Sequence, residues 1–317
     1  MGAMQLSDRI GRRIKLHDLH VLMAVVQAGS MSRAAQLLNT TQPAVSRSIA
    51  DLERAIGVRL LERGRYGVEL TEHGRAMRDG GVAMFDELRQ AVKNVEFLSD
   101  PTAGEVRIGA TPPLAASFVS AVIDRLSRRY PRIVFRVVVD GDAAAQRRNL
   151  DERRVDLLIY RQFGSFSDEQ VGFETLYESP YVVAAGAKNP WVRRRRIELA
   201  ELMGELWALP PPDDSFGPFV VEAFRASGLD FPRATVVASA IEMCASLLKT
   251  GRYLSVIPEF WLQLPERHPF IRKLSVDLPI TGGPIGIITL KNRAPSPVVQ
   301  RFIDCAREVA KPLARRN

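Results

Sequence analysis

Apolar residues in the N-terminal segment recur at three- and four-residue spacing. Leu16, Leu19, Leu22, Met23 and Val26 define a first helix, closed by Ala28-Gly29. Ser30 is placed to cap a second helix, Ser32–Leu38, whose buried face is Ala34, Ala35 and Leu38; the two alanines allow another helix to cross closely. Thr41 is placed to cap a third, opened by Gln42-Pro43, with Val45, Ile49, Leu52 and Ile56 inward and Gly57 at its end. Leu60-Leu61 and Val68–Leu70 then predict two short strands around Arg63-Gly64-Arg65-Tyr66-Gly67. From residue 72 to 98 one long helix is expected, with its apolar stripe at Met77, Met84 or Phe85, Leu88, Val92 and Val95. Gly80-Gly81 interrupts it and predicts a bend or a close helix approach. Residues 99–104, Ser-Asp-Pro-Thr-Ala-Gly, read as a hinge.

Beyond residue 105 the period changes. Val106–Ala110, Ile133–Val139 and Val155–Tyr160 predict strands separated by the helices Leu114–Tyr130 and Ala143–Arg153, the βαβαβ order of a parallel sheet with helices on its faces. A second set follows: Thr175–Tyr177, Tyr181–Ala185, helices near Leu199–Met203 and Phe219–Ser227, then Thr235–Ala238, helix Ile241–Thr250 and Tyr253–Ile257. Strand Ile285–Lys291 and helix Ser296–Val309 close the chain. The expected organisation is a helical head at 1–71, a linker helix at 72–98, a hinge at 99–104, and two α/β lobes at 105–317. The first lobe takes residues 105–165 and 268–317, the second 166–267.

Charge sharpens this picture. The 317 residues carry a formal +8, and residues 9–71 hold ten Lys and Arg against five acids, so about +5 of the surplus sits on the head. Residues 72–104 are about −2. Three short helices and an arginine-bearing hairpin make a winged helix-turn-helix. In such a unit the N-terminal turn of the third helix reaches base edges in the major groove of double-stranded DNA.

The sequence here resembles the LysR-type transcriptional regulators. The likeness lies in Ala28-Gly29-Ser30-Met31-Ser32-Arg33-Ala34-Ala35-Gln36-Leu37-Leu38, Thr41-Gln42-Pro43-Ala44-Val45-Ser46-Arg47, Leu52-Glu53, Gly57, Arg59-Leu60-Leu61-Glu62-Arg63 and Leu70-Thr71-Glu72-His73-Gly74. Leu61 stands where that family usually has Phe, and His73 where it has Ala. The resemblance implies that Gln42, Pro43, Ser46 and Arg47 enter the major groove, that Thr41 and Ala44 also belong to the DNA-binding surface, and that Ser32, Arg33, Arg63, Arg65 and Thr71 contact the DNA backbone or the wing's groove. It further implies a homodimer or homotetramer paired through Phe85, Leu88, Val92 and Val95, RNA polymerase as a further candidate partner, and a bacterial cytoplasmic location. The two-lobed effector domain resembles periplasmic binding proteins, whose chain crosses twice between lobes.

In open α/β sheets ligands bind beyond the carboxyl ends of strands, where helix N-termini point. That rule selects Thr111, Pro112 and Pro113, with the hydroxyl and backbone donors expected to hold an anion; Arg161 and Gln162; Ser215 and Phe216; Ser239 and Ala240; and Pro258. Arg161 favours an acidic small molecule, so the effector is expected to be a small anionic metabolite. Asp213 and Asp214 are expected to cap a helix rather than touch ligand.

Other chemistry is thinly represented. No HExxH, phosphate loop, CxxC pair or Gly-x-Ser-x-Gly elbow occurs, and no cofactor, metal or catalytic residue is expected. His17 and His20 stand at i, i+3 without a third ligand nearby, and the two cysteines, Cys244 and Cys305, are read as buried thiols. Two cysteines exclude a disulfide framework, and no apolar run or signal-peptide core points to a membrane or export. The reading is therefore a DNA-binding regulator switched by an effector. A solute-binding module with an unrelated helical extension is the alternative.

Overall fold

The computed structural model describes residues 13–64, 67–162, 169–214, 216–262, 269–279 and 282–314. The chain divides into two compact units, Met1–Val92 and Lys93–Asn317.

In the first unit, α1 (Leu16–Ala28), α2 (Met31–Leu37) and α3 (Gln42–Ile56) enclose a core of Leu19, Leu22, Val25, Ala34, Val45, Ile49 and Leu52. Ser30 caps α2, its hydroxyl accepting from Arg33 N at 3.1 Å. Thr41 holds the N-cap position of α3, but its side chain makes no capping bond, contrary to expectation. β1 (Leu61–Gly64) and β2 (Gly67–Leu70) form the antiparallel hairpin, closing at the pair Gly64↔Gly67. Glu53 on α3 fixes the hairpin's entry by accepting from Leu60 N and Leu61 N at 2.7 and 3.2 Å.

α4 (Glu72–Ser99) carries two apolar faces where the sequence suggested one. Met77 and Phe85 pack on the head's core, and Phe85 meets the ring of His20 edge-on at 5.8 Å. Between them Gly81 is buried; a Cβ there would stand 3.2 Å from Leu19 Cδ1, so the glycine permits the close approach of α1, while Gly80 faces open space. Phe85 is thus half-buried, with its ring on the head's own core. Met84, Leu88, Val92, Val95 and Leu98 remain exposed, Leu98 at 80%.

The second unit holds two five-stranded sheets. β3 (Ala103–Ala110) pairs in parallel with β4 (Arg132–Val139) and β5 (Leu157–Arg161). Between β3 and β4 a helix opens as α5 (Pro112–Leu114), widens to one π-turn at Ala115–Val119 and continues as α6 (Ser120–Arg129). α7 (Ala143–Asp151) leads into β5. β6 (Val171–Glu178) completes this first sheet from its far edge. The second sheet comprises β7 (Tyr181–Gly186), β8 (Leu206–Leu209), β9 (Ala234–Val237), β10 (Tyr253–Pro258) and β11 (Ile271–Lys273) in the order β11-β7-β10-β8-β9. α8 (Gly217–Ala226), α9 (Ile241–Lys249) and the short α10 (Glu259–Leu262) connect its strands. β12 (Pro284–Leu290) then returns to the first sheet between β5 and β6, and α11 (Pro297–Ala314) packs on it.

Two strands fall on the other side of the expected lobe boundaries. β6 was expected in the second lobe, yet it pairs with β12 along its whole length, from Pro284↔Glu178 to Leu290↔Val171, so the first crossing is Ser179-Pro180. β11, expected in the first lobe, pairs with β7 of the second. Each is an antiparallel partner brought by a strand distant in sequence, a pairing that local periodicity does not encode. β8, β11 and α10 have no counterpart among the expected elements.

The expected hinge at 99–104 is an anchored joint. Asp100 is bound by Arg132 at 2.8 Å, Thr102 also meets Arg132, and β3 already begins at Ala103. Arg301 of α11 donates to the carbonyl of Pro101 and lies over the ring of Phe97. Beneath the sheet, Asp156 is buried between Arg107 (2.6 Å) and Arg293 (2.7 Å). Burial would raise its carboxyl, but the two guanidiniums overcome that and hold it below the usual carboxylate value.

Candidate functional site

The first turns of α3 present Thr41, Gln42, Pro43, Ala44, Ser46 and Arg47 to solvent, while Val45 and Ile49 turn inward. Gln42, Ser46 and Arg47 make no side-chain hydrogen bond or ion pair within the described residues. Pro43 in the first turn forfeits no needed donor. Ser32 and Arg33 are exposed on the neighbouring α2. Thr71 differs from the expectation: its hydroxyl donates to Arg59 O at 2.8 Å and accepts from Gly74 N at 3.0 Å. Its single proton is spent tying the wing to α4, leaving none for a phosphate. The side chain of Arg63, and all of Arg65, lie outside the described residues.

In the second unit a cavity of about 310 Å³ lies between the lobes. Of the residues selected by the strand-end rule, Thr111, Pro112, Pro113, Arg161, Phe216, Ser239, Ala240 and Pro258 line it. Ser215 lies outside the described residues. Gln162 does not line the cavity; its backbone N donates to Pro284 O at 2.9 Å, which continues the β5–β12 pairing. Pro112 and Pro113 cannot serve as donors, since neither has an N–H, and Ala115 N is already bonded to Thr111 O. They contribute apolar wall instead. Thr111 makes no side-chain cap bond. Asp214 lines the cavity, and the N-cap position of α8 is held by Phe216, whose side chain makes no capping bond.

Arg161 forms part of the wall and is only 4% exposed. Its Nη1 donates to Ser179 O at 2.6 Å, to Gly283 O at 3.1 Å and to Gly282 O, binding carbonyls of both segments that cross between the lobes. Gly282 is required there, because a Cβ would overlap both Ser179 O and the guanidinium. The guanidinium lies over the rings of Tyr181 (4.7 Å) and Phe260 (5.5 Å), and Phe216 stacks on Tyr181 at 3.9 Å. Its Nη2 is buried without a hydrogen-bond partner. Burial pulls the proton affinity of this guanidinium down. Burial likewise pushes the Tyr181 phenol up to about 12, against the pull of Arg161, and raises Tyr177 and Cys244, so none of these ionises near neutrality.

Sequence reasoning missed Tyr160, Tyr181, Ile241, Cys244, Val256 and Phe260 in the wall. Tyr181 and Phe260 flank the ends of strands, so the same rule extended to strand starts and to the residues after Pro258 would have found them.

A basic three-helix head with an exposed, unpaired reading turn, carried on a two-lobed α/β domain with a cleft, defines a ligand-responsive DNA-binding protein. The family comparisons agree. The model for "Bacterial regulatory helix-turn-helix protein, lysR family" matches residues 16–75, and that for "LysR substrate binding domain" matches residues 99–311. The chain belongs to the LysR family of transcriptional regulators, DNA-binding proteins that respond to small-molecule effectors. Its relatives are regulators rather than enzymes. The HTH-type regulator YdcI of Escherichia coli is 24% identical over 96% of this chain and 99% of its own, and PcaQ of Agrobacterium fabrum 25% over 96% and 97%. Among solved structures, CbnR is similar with a TM-score of 0.62 at 21% identity, covering 94% of this chain and 99% of that one. A crystal structure of full-length CbnR with its target DNA gives 0.54 at 22%, covering 94% and 100%. Members of the family bind DNA and form oligomers. No helix among the described residues is long and apolar enough to cross a membrane.

Proposed function

We propose that this chain reads a two-fold-related promoter site as a homodimer or homotetramer in the bacterial cytoplasm, and that a small anionic effector held between its lobes switches it. Residues 1–71 are the reading head, 72–98 the pairing helix and 105–317 the effector domain. Gln42, Pro43, Ala44, Ser46 and Arg47 enter the major groove. Thr41, Ser32, Arg33, Arg63 and Arg65 contact phosphates or the wing's groove. Leu88, Val92 and Val95, exposed along one face of α4, pair with the same face of a second copy. RNA polymerase is a further candidate partner.

The observation that carries this reading is the exposed first turns of α3, where Gln42, Ser46 and Arg47 have no internal work to do. Buried polar groups in folded proteins find partners, and exposed ones grouped on a helix N-terminus are placed to meet base edges and phosphates. The effector acts only by binding one lobe arrangement better than another. That Arg161 lines the cavity and is bonded to both crossing segments supports a ligand site beside the lobe crossings. Fluorescence anisotropy with the intergenic DNA beside its own gene tests the DNA reading. Saturable binding that weakens steeply with salt is expected, and affinity equal to that for random DNA would overturn sequence-specific recognition.

A further inference from the structure

Resting on the cleft reading above, we propose that the effector is a monocarboxylate with an apolar body, its carboxylate on Arg161 and its body against Pro113, Phe216, Ile241 and Pro258. The charge pattern carries this further than "an anion". Among the described residues Arg161 is a cation with no carboxylate partner, 4% exposed, with Nη2 buried and unpaired. An uncompensated buried charge is costly, and an arriving carboxylate removes that cost with a charge-assisted bond. Each hydrogen bond Arg161 makes among the described residues goes to a main-chain carbonyl, so its charge is solvated there but not neutralised.

The rest of the wall excludes larger or more highly charged anions. Among the described lining residues the other charged side chains are Asp214 and Glu242, both acids. A second carboxylate on the ligand would meet these, with no second cation to hold it. Glu242 is exposed and keeps its water, so it demands no ammonium from the ligand. At about 310 Å³ the cavity lies near the lower bound of the roughly 300–1,000 Å³ typical of ligand sites, which sets a small body. Because Nη1 of the same guanidinium holds Ser179, Gly282 and Gly283, a carboxylate drawn to this cation lies beside both lobe crossings.

Four probes that share one phenyl group separate the possibilities: 3-phenylpropionate, its neutral amide, benzylsuccinate with a second carboxylate, and phenylalanine with an added ammonium. Titration calorimetry of the full chain should show 3-phenylpropionate binding at least tenfold more tightly than each of the others. Tighter binding of phenylalanine or benzylsuccinate, or equal binding of the amide, would overturn the monocarboxylate assignment. Arg161→Gln removes the anchor but also loosens the crossings, so a second variant is needed. Ala240→Asp puts a carboxylate on the wall at the exposed N-cap position of α9, where Asp is favoured, and should weaken 3-phenylpropionate at least tenfold with the melting temperature retained. If the amide or phenylalanine binds best and Ala240→Asp abolishes that binding, the ligand class is wrong while the cleft reading stands. If 3-phenylpropionate binds equally to the wild type and to Ala240→Asp, it binds elsewhere, and the cleft assignment itself fails.

Discussion

The guanidinium of Arg301 lies 4.7 Å from the ring centroid of Phe97 and, on the same group, 4.4 Å from that of Tyr130. Phe97 belongs to the last turns of α4, Tyr130 follows α6 and Arg301 is on α11, so one side chain joins the end of the linker helix to the first lobe. It also donates to Pro101 O, within the segment that the sequence suggests is a hinge. The first lobe and the end of α4 are therefore joined by a stacked cation and a hydrogen bond rather than by a loose loop. Arg301→Ala should lower stability by about 0.5–2 kcal/mol, the range of cation–π contacts. It should also raise hydrogen exchange at residues 97–102 specifically; unchanged exchange there would mean the joint does not depend on this contact.

Arg47 is exposed at the reading end of α3 and pairs with nothing among the described residues of the head. Arg47→Ala should weaken specific DNA binding by roughly 1–3 kcal/mol without shifting the melting temperature. Anisotropy at fixed salt checks the first part and thermal unfolding the second.

Thr41 and Thr71 make a paired test of the same side chain in two roles. Thr71 spends its hydroxyl on Arg59 O and Gly74 N, so Thr71→Val should cost the head about 1 kcal/mol of stability. Thr41 makes no capping bond, so Thr41→Val should leave stability within about 0.5 kcal/mol while weakening DNA binding. Denaturant unfolding of the two variants side by side distinguishes them.

Along α4 the two apolar faces predict opposite outcomes. Leu88→Glu with Val92→Glu should break subunit pairing, visible as a fall in hydrodynamic mass, and leave the head folded. Phe85→Asp should instead destabilise the head, because it puts a charge against the core around Leu19 and His20.

Asp156 sets a pH dependence. Arg107 and Arg293 hold its folded-state pKa below the unfolded value of about 3.9, so its contribution is complete above roughly pH 4 and is lost as pH falls through the folded value. Asp156→Asn leaves two guanidiniums without their counter-ion and should cost about 3–5 kcal/mol near neutrality. The gap between wild type and variant should narrow on acidification; a gap constant down to pH 3 would rule out the ion-pair account.

Much of this protein was legible along the chain because the signals are local. The helices of the head follow from the spacing of Leu19, Leu22, Val45, Ile49 and Leu52. The reading residues follow from a polar turn opposite that apolar face. Strand ends located eight residues of the cleft wall, among them Arg161, since ligands in α/β sheets gather where strands finish.

The kind of protein, its order of elements and its candidate contacts were therefore written locally along the chain. Features that depend on long-range partners were settled on folding. β6 belongs to the first sheet because β12, more than a hundred residues later, pairs with it. Phe85 turns into the head because Gly81 lets α1 approach. The expected hinge segment is held by Arg301 and Arg132, which reach it from other elements. Arg161 is a strand-end arginine in the sequence; folding gives it three carbonyls, two rings and one unpaired amino group. Periodicity records which face of an element is apolar, but the identity of the surface that covers that face is set by residues far away along the chain.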